Sequence, residues 1–589
     1  MNTTNYDWNL SDLYKDPGEW DKDFKVIEQT LKKLSDQKST FKDTPESLFT
    51  FLEDEEQLSI TLTRLYVYAK TKFDVNMKDQ DNKRLFEQVD GLYHNYQDQL
   101  SFVEPELLKI SPDEYSKYCR VFPELSKYDF MFEKLFAKKD HILDSETEQL
   151  LSGMDSLGAF FEKAYDDLTV SDIAYPKIKD PQTKEDVLVN NTNYYKALLH
   201  NDRSFRRDFF LNLLDTYKQH SNTITSLYYG SVKKNTTEAR KRNYQSALDM
   251  ALKSNFIEKG IYDNLVTTVR ENNHVLQDYL TFRKESLHYD DLHFYDLFVP
   301  LATITEQSYT FEEAKEIIFK ALSPLGTDYL EVIKKAFEEK WLDVFPKENK
   351  VSGAYAIGVY DVHPYSLLNF NGTLNDIFTI AHELGHVMHS YYSNQEQPYV
   401  NANYTIFCAE VASTVNEQLL YNYLLDHTEN TAEKKYLLNS HLDSIRSTFF
   451  RQTLFAEFEK EVHEMVENHQ PLTAAELSTL YHSLYEHYYG NDFVIDEALD
   501  YEWARIPHFY AAFYVYQYAT GISAAIAISD KILSDPSYRI QDYHDFLKSG
   551  DSDYSVTLLK KAGADMRQPE SIMATINNFN HTLQTLKNL

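Results

Sequence analysis

The chain has 589 residues, 42% of them apolar and 26% charged, and a net charge of −33 from 92 acidic against 59 basic side chains. A surface that acidic repels phosphate backbones and anionic headgroups, which argues against nucleic-acid and membrane partners. No apolar run reaches the roughly 18 residues of a membrane span, and two cysteines, Cys119 and Cys408, are too few for a disulfide framework.

The stretch from Met1 to Trp8 has neither the basic nor the apolar segment of a signal peptide, so a cytoplasmic protein is expected. Only 15 Gly and 16 Pro punctuate the chain, which favours helices over turn-rich β structure. The length predicts more than one lobe.

Residues 20–166 read as successive amphipathic helices with short polar breaks. Leu58, Leu62, Leu65 and Tyr66 fall on one helical face. Ser111-Pro112-Asp113-Glu114 has the form of a helix start with proline in the first turn. The pattern then shifts. Leu168-Thr169-Val170, Ile173-Ala174-Tyr175 and Val187-Leu188-Val189 are β-like runs around Pro176, Asp180 and Pro181, and predict a small hairpin. Helices resume near Tyr194. The expected division is an N-terminal helical lobe over 1–195 and a catalytic region over 196–589. Ser352 to Gly358 and Pro364 to Phe370 read as short strands or extended loops. Directly after them, Thr373-Leu374-Asn375-Asp376 resembles a capping box opening a helix.

That helix carries His382-Glu383-Leu384-Gly385-His386. Residues four apart lie about one turn apart on one helical face, so both histidines can reach one ion. Glu383 is placed to hold a water as general base. Leu374, Ile377, Phe378, Ala381, Leu384 and Met388 line an apolar face, extended by Ile380 and Val387. A polar stripe of His382, Glu383, His386 and His389 on such a helix is costly unless paired or metal-bound.

A catalytic zinc takes three protein ligands and keeps one open position. His389 is a conceivable third ligand but lies nearly two turns from His382, so it is expected as a neighbour of the ligands rather than one of them. Glu410, in the apolar run Ile406 to Glu417, is the better candidate. Glu417, two turns beyond Glu410, could accept a hydrogen bond from a ligand imidazole or be a solvated charge.

Ile380 to His389, followed by Phe407-Cys408-Ala409-Glu410-Val411-Ala412-Ser413-Thr414, resembles the thimet-oligopeptidase-type (M3) metallopeptidases, and most of all their oligoendopeptidase F branch. The resemblance extends to Trp8–Tyr14, Ala239–Leu248, Ile506–Tyr510 and Phe513–Gly521, and so covers nearly the whole chain. It implies a mainly α, two-lobed helical ellipsoid with a deep substrate channel and a small β-sheet near the active-site helix. It implies one Zn2+ per chain on His382, His386 and Glu410, with Glu383 as base, and endopeptidase action on short peptides. A monomer is expected. His508, Tyr510, Tyr514 and Tyr516 are the candidates for hydrogen-bond donors to the oxyanion of peptide hydrolysis. The other reading of those tyrosines is an aromatic core stripe. An edge strand among residues 353–370 could bind a peptide backbone by β-addition.

Two competing functions follow from the same residues. One is a dipeptidyl carboxypeptidase or other exopeptidase, which needs a group that reads a peptide terminus. The other is a non-catalytic helical scaffold with a metal site; structural zinc sites are usually closed and Cys-rich, and Glu383 would then have no role.

Overall fold

The computed structural model describes residues 6–143, 145–302 and 307–589, with backbone alone for 145–146, 148–150 and 152–157. Residues 1–5 of the stretch read above for a leader lie outside these. The fold is mainly α. Its strands are short: β1 (Lys177–Lys179) pairs antiparallel with β2 (Asp186–Leu188), and β3 (Leu292–His293) pairs parallel with β7 (Phe493–Val494). The third sheet has the order β4 (Leu342–Asp343), β6 (Tyr365–Leu367), β5 (Tyr355–Ile357); β6 runs parallel to β4 and antiparallel to β5.

The chain divides into two compact units built from interleaved segments. Unit 1 comprises Met1–Lys139, Glu306–Tyr423 and Ile528–Gly563; unit 2 comprises Asp140–Thr305, Leu424–Ala527 and Ala564–Leu589. A linear boundary at residue 195 therefore falls inside unit 2.

Unit 1 opens on three capped helices. Asp16 accepts hydrogen bonds from the Gly18 and Glu19 amides at the start of α1 (Pro17–Asp36), and Thr44 and Ser47 form a reciprocal capping box on α2 (Pro45–Val75). Asp79 caps α3 (Gln80–Leu100). Leu58, Leu62 and Leu65 are buried in the core as their spacing predicts, with Tyr66 packed at its margin. The Trp20 indole, itself in that core, donates to the Leu65 carbonyl (3.0 Å). Ser111 caps the helix Pro112–Val121, as the sequence suggests.

The β4–β6–β5 sheet is the framework beside the motif helix. The fully buried Lys350 ammonium binds the Asp343 carboxylate (2.7 Å) and the Phe345 carbonyl (2.8 Å), and also reaches the Leu368 carbonyl, so one cation ties the ends of β4 and β6 together. The segment from Trp8 to Tyr14 packs on the same sheet. The Asn9 amide donates to the Lys340 carbonyl (2.8 Å), and the Tyr365 hydroxyl donates to the Asn9 carbonyl (3.0 Å). Strand β5 lies at the edge of the sheet, held from its side chain by the Tyr355 hydroxyl on Asp74 (2.7 Å).

Unit 2 shows one departure from the expected hairpin. Leu168–Val170 and Ile173–Tyr175 are not strands. Asp167–Asp172 is a π-helical turn that continues the helix Ser145–Asp166. Thr169 bonds back to the Tyr165 carbonyl (2.8 Å), and the Ile173 amide reaches the Leu168 carbonyl (2.9 Å). Back-bonding by a threonine hydroxyl and the preceding helix override the β-branched preference there. The hairpin itself forms just beyond, with Lys177 opposite Leu188.

Glu502 shows how a buried charge in unit 2 is paired. Glu502, with no exposure, accepts from the Tyr481 and Tyr485 hydroxyls (2.8 Å each) and from Arg451. His441 is buried with Nε2 2.8 Å from the Asn578 amide oxygen. Burial pushes its pKa down to about 4, against the opposing pull of that hydrogen bond. An unfolded imidazole takes up its proton near 6.5. Between those values the unfolded state binds more protons, so this group removes stability as pH falls. The melting temperature of the wild type relative to His441→Gln should therefore decline steadily as pH is lowered from about 7 to about 4.5. A pH-independent difference would contradict the buried neutral state.

Candidate metal centre and active site

The motif helix α4 (Leu374–Glu396) starts where the sequence places it. Thr373 accepts from the Asp376 amide (3.2 Å), and Asp376 accepts from the Thr373 (2.9 Å) and Asn371 (3.0 Å) amides. Gly372, at φ +87°, makes the turn into the cap, and a Cβ there would stand 2.8 Å from the Tyr309 carbonyl oxygen. Ile377, Ile380, Ala381, Leu384, Val387 and Met388 are buried on the apolar face. His382 and His386 remain half-buried on the polar stripe.

A second helix, α5 (Ile406–His427), crosses α4 at Gly385. A Cβ on Gly385 would stand 2.6 Å from the Ala412 carbonyl oxygen and the Ser413 amide, so the two backbones touch with no room for a side chain. This contact brings Glu410 up to the histidines.

His382, His386 and Glu410 form a group of donors that could hold a metal ion. The two Nε2 atoms are 3.2 Å apart, and the Glu410 Oε2 lies 3.4 Å from His382 Nε2 and 3.5 Å from His386 Nε2. Ligands about 2.0–2.1 Å from a tetrahedral ion are roughly 3.3 Å from one another. The chain's own donors thus stand at the spacing of a single shared cation. Glu417 lies behind His382, with its Oε1 2.5 Å from Nδ1. That bond takes the Nδ1 proton and turns the Nε2 lone pair toward the group. Ser413 donates to Glu410 Oε2 (3.0 Å) and fixes the carboxylate.

The electrostatics match this arrangement. Burial alone would depress His382, but the hydrogen bond and charge of Glu417, with Glu410 and Glu383, raise its pKa to about 9. Burial would raise Glu410, but the bond to His386 and the charges of both histidines hold it down to about 2. The three facing carboxylates thus favour positive charge between them; without a metal that charge is a proton on His382, which a bound metal displaces. Glu383 is buried, and its Oε2 has no hydrogen-bond partner among the described residues. Burial raises its pKa, with His382 and His386 acting against.

His389 lies outside the donor group. Its ring stacks on Tyr404 (3.7 Å between centroids), its Nδ1 is enclosed without a partner among the described residues, and burial pushes its pKa down to about 3. It packs as a neutral aromatic.

The His/Tyr segment belongs to unit 2. Phe513 sits there at φ +54°, and its amide donates to Glu459 Oε1 (2.6 Å), a fully buried carboxyl on the helix Arg451–Glu467. This bond holds a left-handed turn that a phenylalanine would otherwise avoid. On one side of the turn His508 is exposed; its ring stacks over Tyr514 (6.4 Å) and its Nε2 lies 3.4 Å from the Tyr518 hydroxyl. Tyr510 and Tyr516 point inward. Tyr510 packs on Tyr165 (4.8 Å) with its hydroxyl enclosed, Tyr516 packs on Tyr262 (5.2 Å), and burial raises both. Ser413 and Tyr518 are the members of these clusters that the sequence reading missed. Their signals were their spacings, three residues past Glu410 and four past Tyr514.

Comparison with known proteins places this geometry in a family. The model for "Peptidase family M3" matches residues 197–578, and that for "Oligopeptidase F" matches residues 106–175. The chain is 37% identical to oligopeptidase PepF of Bacillus subtilis (99% of this chain, 87% of that one). It is 35% identical to group B oligopeptidase PepB of Streptococcus agalactiae (99% and 97%). The crystal structure of oligoendopeptidase-F from Enterococcus faecium superposes with a TM-score of 0.76 at 31% identity, covering 97% of this chain and 99% of that one. The chain belongs to peptidase family M3 and is a metalloendopeptidase. No helix among the described residues is long and apolar enough to cross a membrane.

The contact at Gly385 generates a direct prediction. Gly385→Ala forces α4 and α5 apart or strains them, and should cost about 1–3 kcal/mol of stability in denaturant titration. An unchanged midpoint would show that the helices part freely.

Proposed function

We propose that the protein is a zinc-dependent endopeptidase that cleaves internal bonds of short oligopeptides. His382, His386 and Glu410 hold one zinc ion per chain, and Glu383 is the general base. The observation that carries this reading is the spacing of the three donors, 3.2 to 3.5 Å, on two helices in backbone contact. The names of the bacterial relatives, oligopeptidase and oligoendopeptidase, support the substrate class. Zinc held there supplies a Lewis acid for the scissile carbonyl and lowers the pKa of a water to roughly 7.

Glu383 performs the proton work. It takes a proton from the attacking water as the C–O bond forms, then gives it to the leaving amine as the C–N bond breaks. Its burial strengthens it as a base. Glu417 orients His382, and Ser413 orients Glu410. The free thiols, Cys119 half-buried and Cys408 buried, suit a reducing cytoplasm.

We assign the oxyanion donors to the His508–Tyr514–Tyr518 face. Its groups are partly open, whereas the Tyr510 hydroxyl is enclosed and Tyr516 is buried.

Glu383→Gln should keep its zinc and lose roughly 10²–10⁴-fold in kcat on an internally quenched peptide blocked at both ends. Chelation should abolish wild-type turnover and zinc should restore it. Cleavage confined to unblocked termini would favour an exopeptidase instead. For the oxyanion assignment, Tyr514→Phe or Tyr518→Phe should lower kcat at least about tenfold with little change in KM. Wild-type kcat in both, and in His508→Ala, would remove that face from the mechanism.

A further inference from the structure

We infer that Asn416 is a positioning residue for the metal centre, a neutral pin that sets where α5 lies along α4. The inference rests on the reading of His382, His386 and Glu410 as the ligands. Asn416 has no exposure. Its Nδ2 donates to the Ala381 carbonyl (3.0 Å), and its Oδ1 accepts from the Tyr329 hydroxyl (3.1 Å). Tyr329, also fully buried, comes from a third helix, Thr327–Glu338. One amide therefore joins three helices of unit 1.

The orientation of that amide is determined by its partners. A carbonyl can only accept, so the nitrogen must face Ala381, and the oxygen then takes the Tyr329 proton. Reversal would set two acceptors against each other in a buried site. The Ala381 carbonyl also receives the Gly385 amide along the helix. Asn416 can reach this carbonyl because the close backbone approach at Gly385 brings α5 onto α4 here.

Its position gives the pin its consequence. Ala381 immediately precedes His382, and Asn416 immediately precedes Glu417, the acceptor behind His382. The apolar contacts between two helices tolerate small slides, whereas a buried two-sided amide bond does not. Ligand constellations tolerate only about 0.5 Å of displacement. A slide of about 1 Å, less than the 1.5 Å rise of one residue, would carry Glu410 out of register with both imidazoles.

The test is zinc affinity, measured on the full-length apo-protein by competition with a chromogenic chelator and read beside the melting temperature of the apo form. Asn416→Leu keeps the volume and removes both bonds; it should weaken zinc binding about 10–100-fold. Tyr329→Phe removes only the outer bond and should weaken it several-fold; this variant carries the test if Asn416→Leu does not fold. Val415→Ala, a core truncation on the same helix, should lower the melting temperature while leaving zinc affinity within about twofold. Wild-type affinity in Asn416→Leu, or in Tyr329→Phe where only that variant folds, overturns the inference. So does an equal loss in Val415→Ala, which would reduce the effect to general stability. If the wild type itself binds no zinc, the ligand reading fails first, and the inference with it.

Discussion

The backbone contact between α4 and α5 at Gly385 and Ser413 is the constraint on which the rest of the site depends. One helix supplies two imidazoles a turn apart and cannot easily supply a third ligand on the same face. The third must come from another element, and a carboxylate side chain is short. The second backbone must therefore approach within van der Waals contact, which only a residue without Cβ allows. Glycine costs about 1 kcal/mol in a helix interior; here the burial of the two apolar faces offsets it.

Around that contact the polar groups settle each other. Glu417 takes one nitrogen of His382, Ser413 takes one oxygen of Glu410, and the remaining lone pairs converge. Glu383, on the same stripe, is left with an enclosed oxygen free of protein partners among the described residues. His382 and Glu410 are thus held from behind, while Glu383 is not. The same economy appears in unit 2, where Glu459 holds the turn at Phe513 and leaves His508, Tyr514 and Tyr518 on a partly open face.

Much of this was legible in the sequence where the determinants are local. The capping box at Thr373, the period of α4 and the spacing of His382 and His386 need no tertiary knowledge. The placing of Glu410 beside the histidines was legible because a carboxylate within an apolar helical run needs a partner. The closure at Gly385 was not, because its partner lies 28 positions on (413 − 385) and nothing local marks it. The β-like runs at 168–175 misled because residue preference there is overruled by the incoming helix and the Thr169 back-bond. The interleaving of the units is likewise a matter of long-range contact, as is the packing of Trp8–Tyr14 on a sheet more than 300 residues away.

The most direct test of the account is anomalous diffraction at the zinc edge from crystals of the zinc-loaded protein. The account predicts one peak per chain, bounded by Nε2 of His382, Nε2 of His386 and the carboxylate of Glu410, with α4 and α5 still in contact at Gly385. A peak held by His389, or none between His382 and His386, would contradict it.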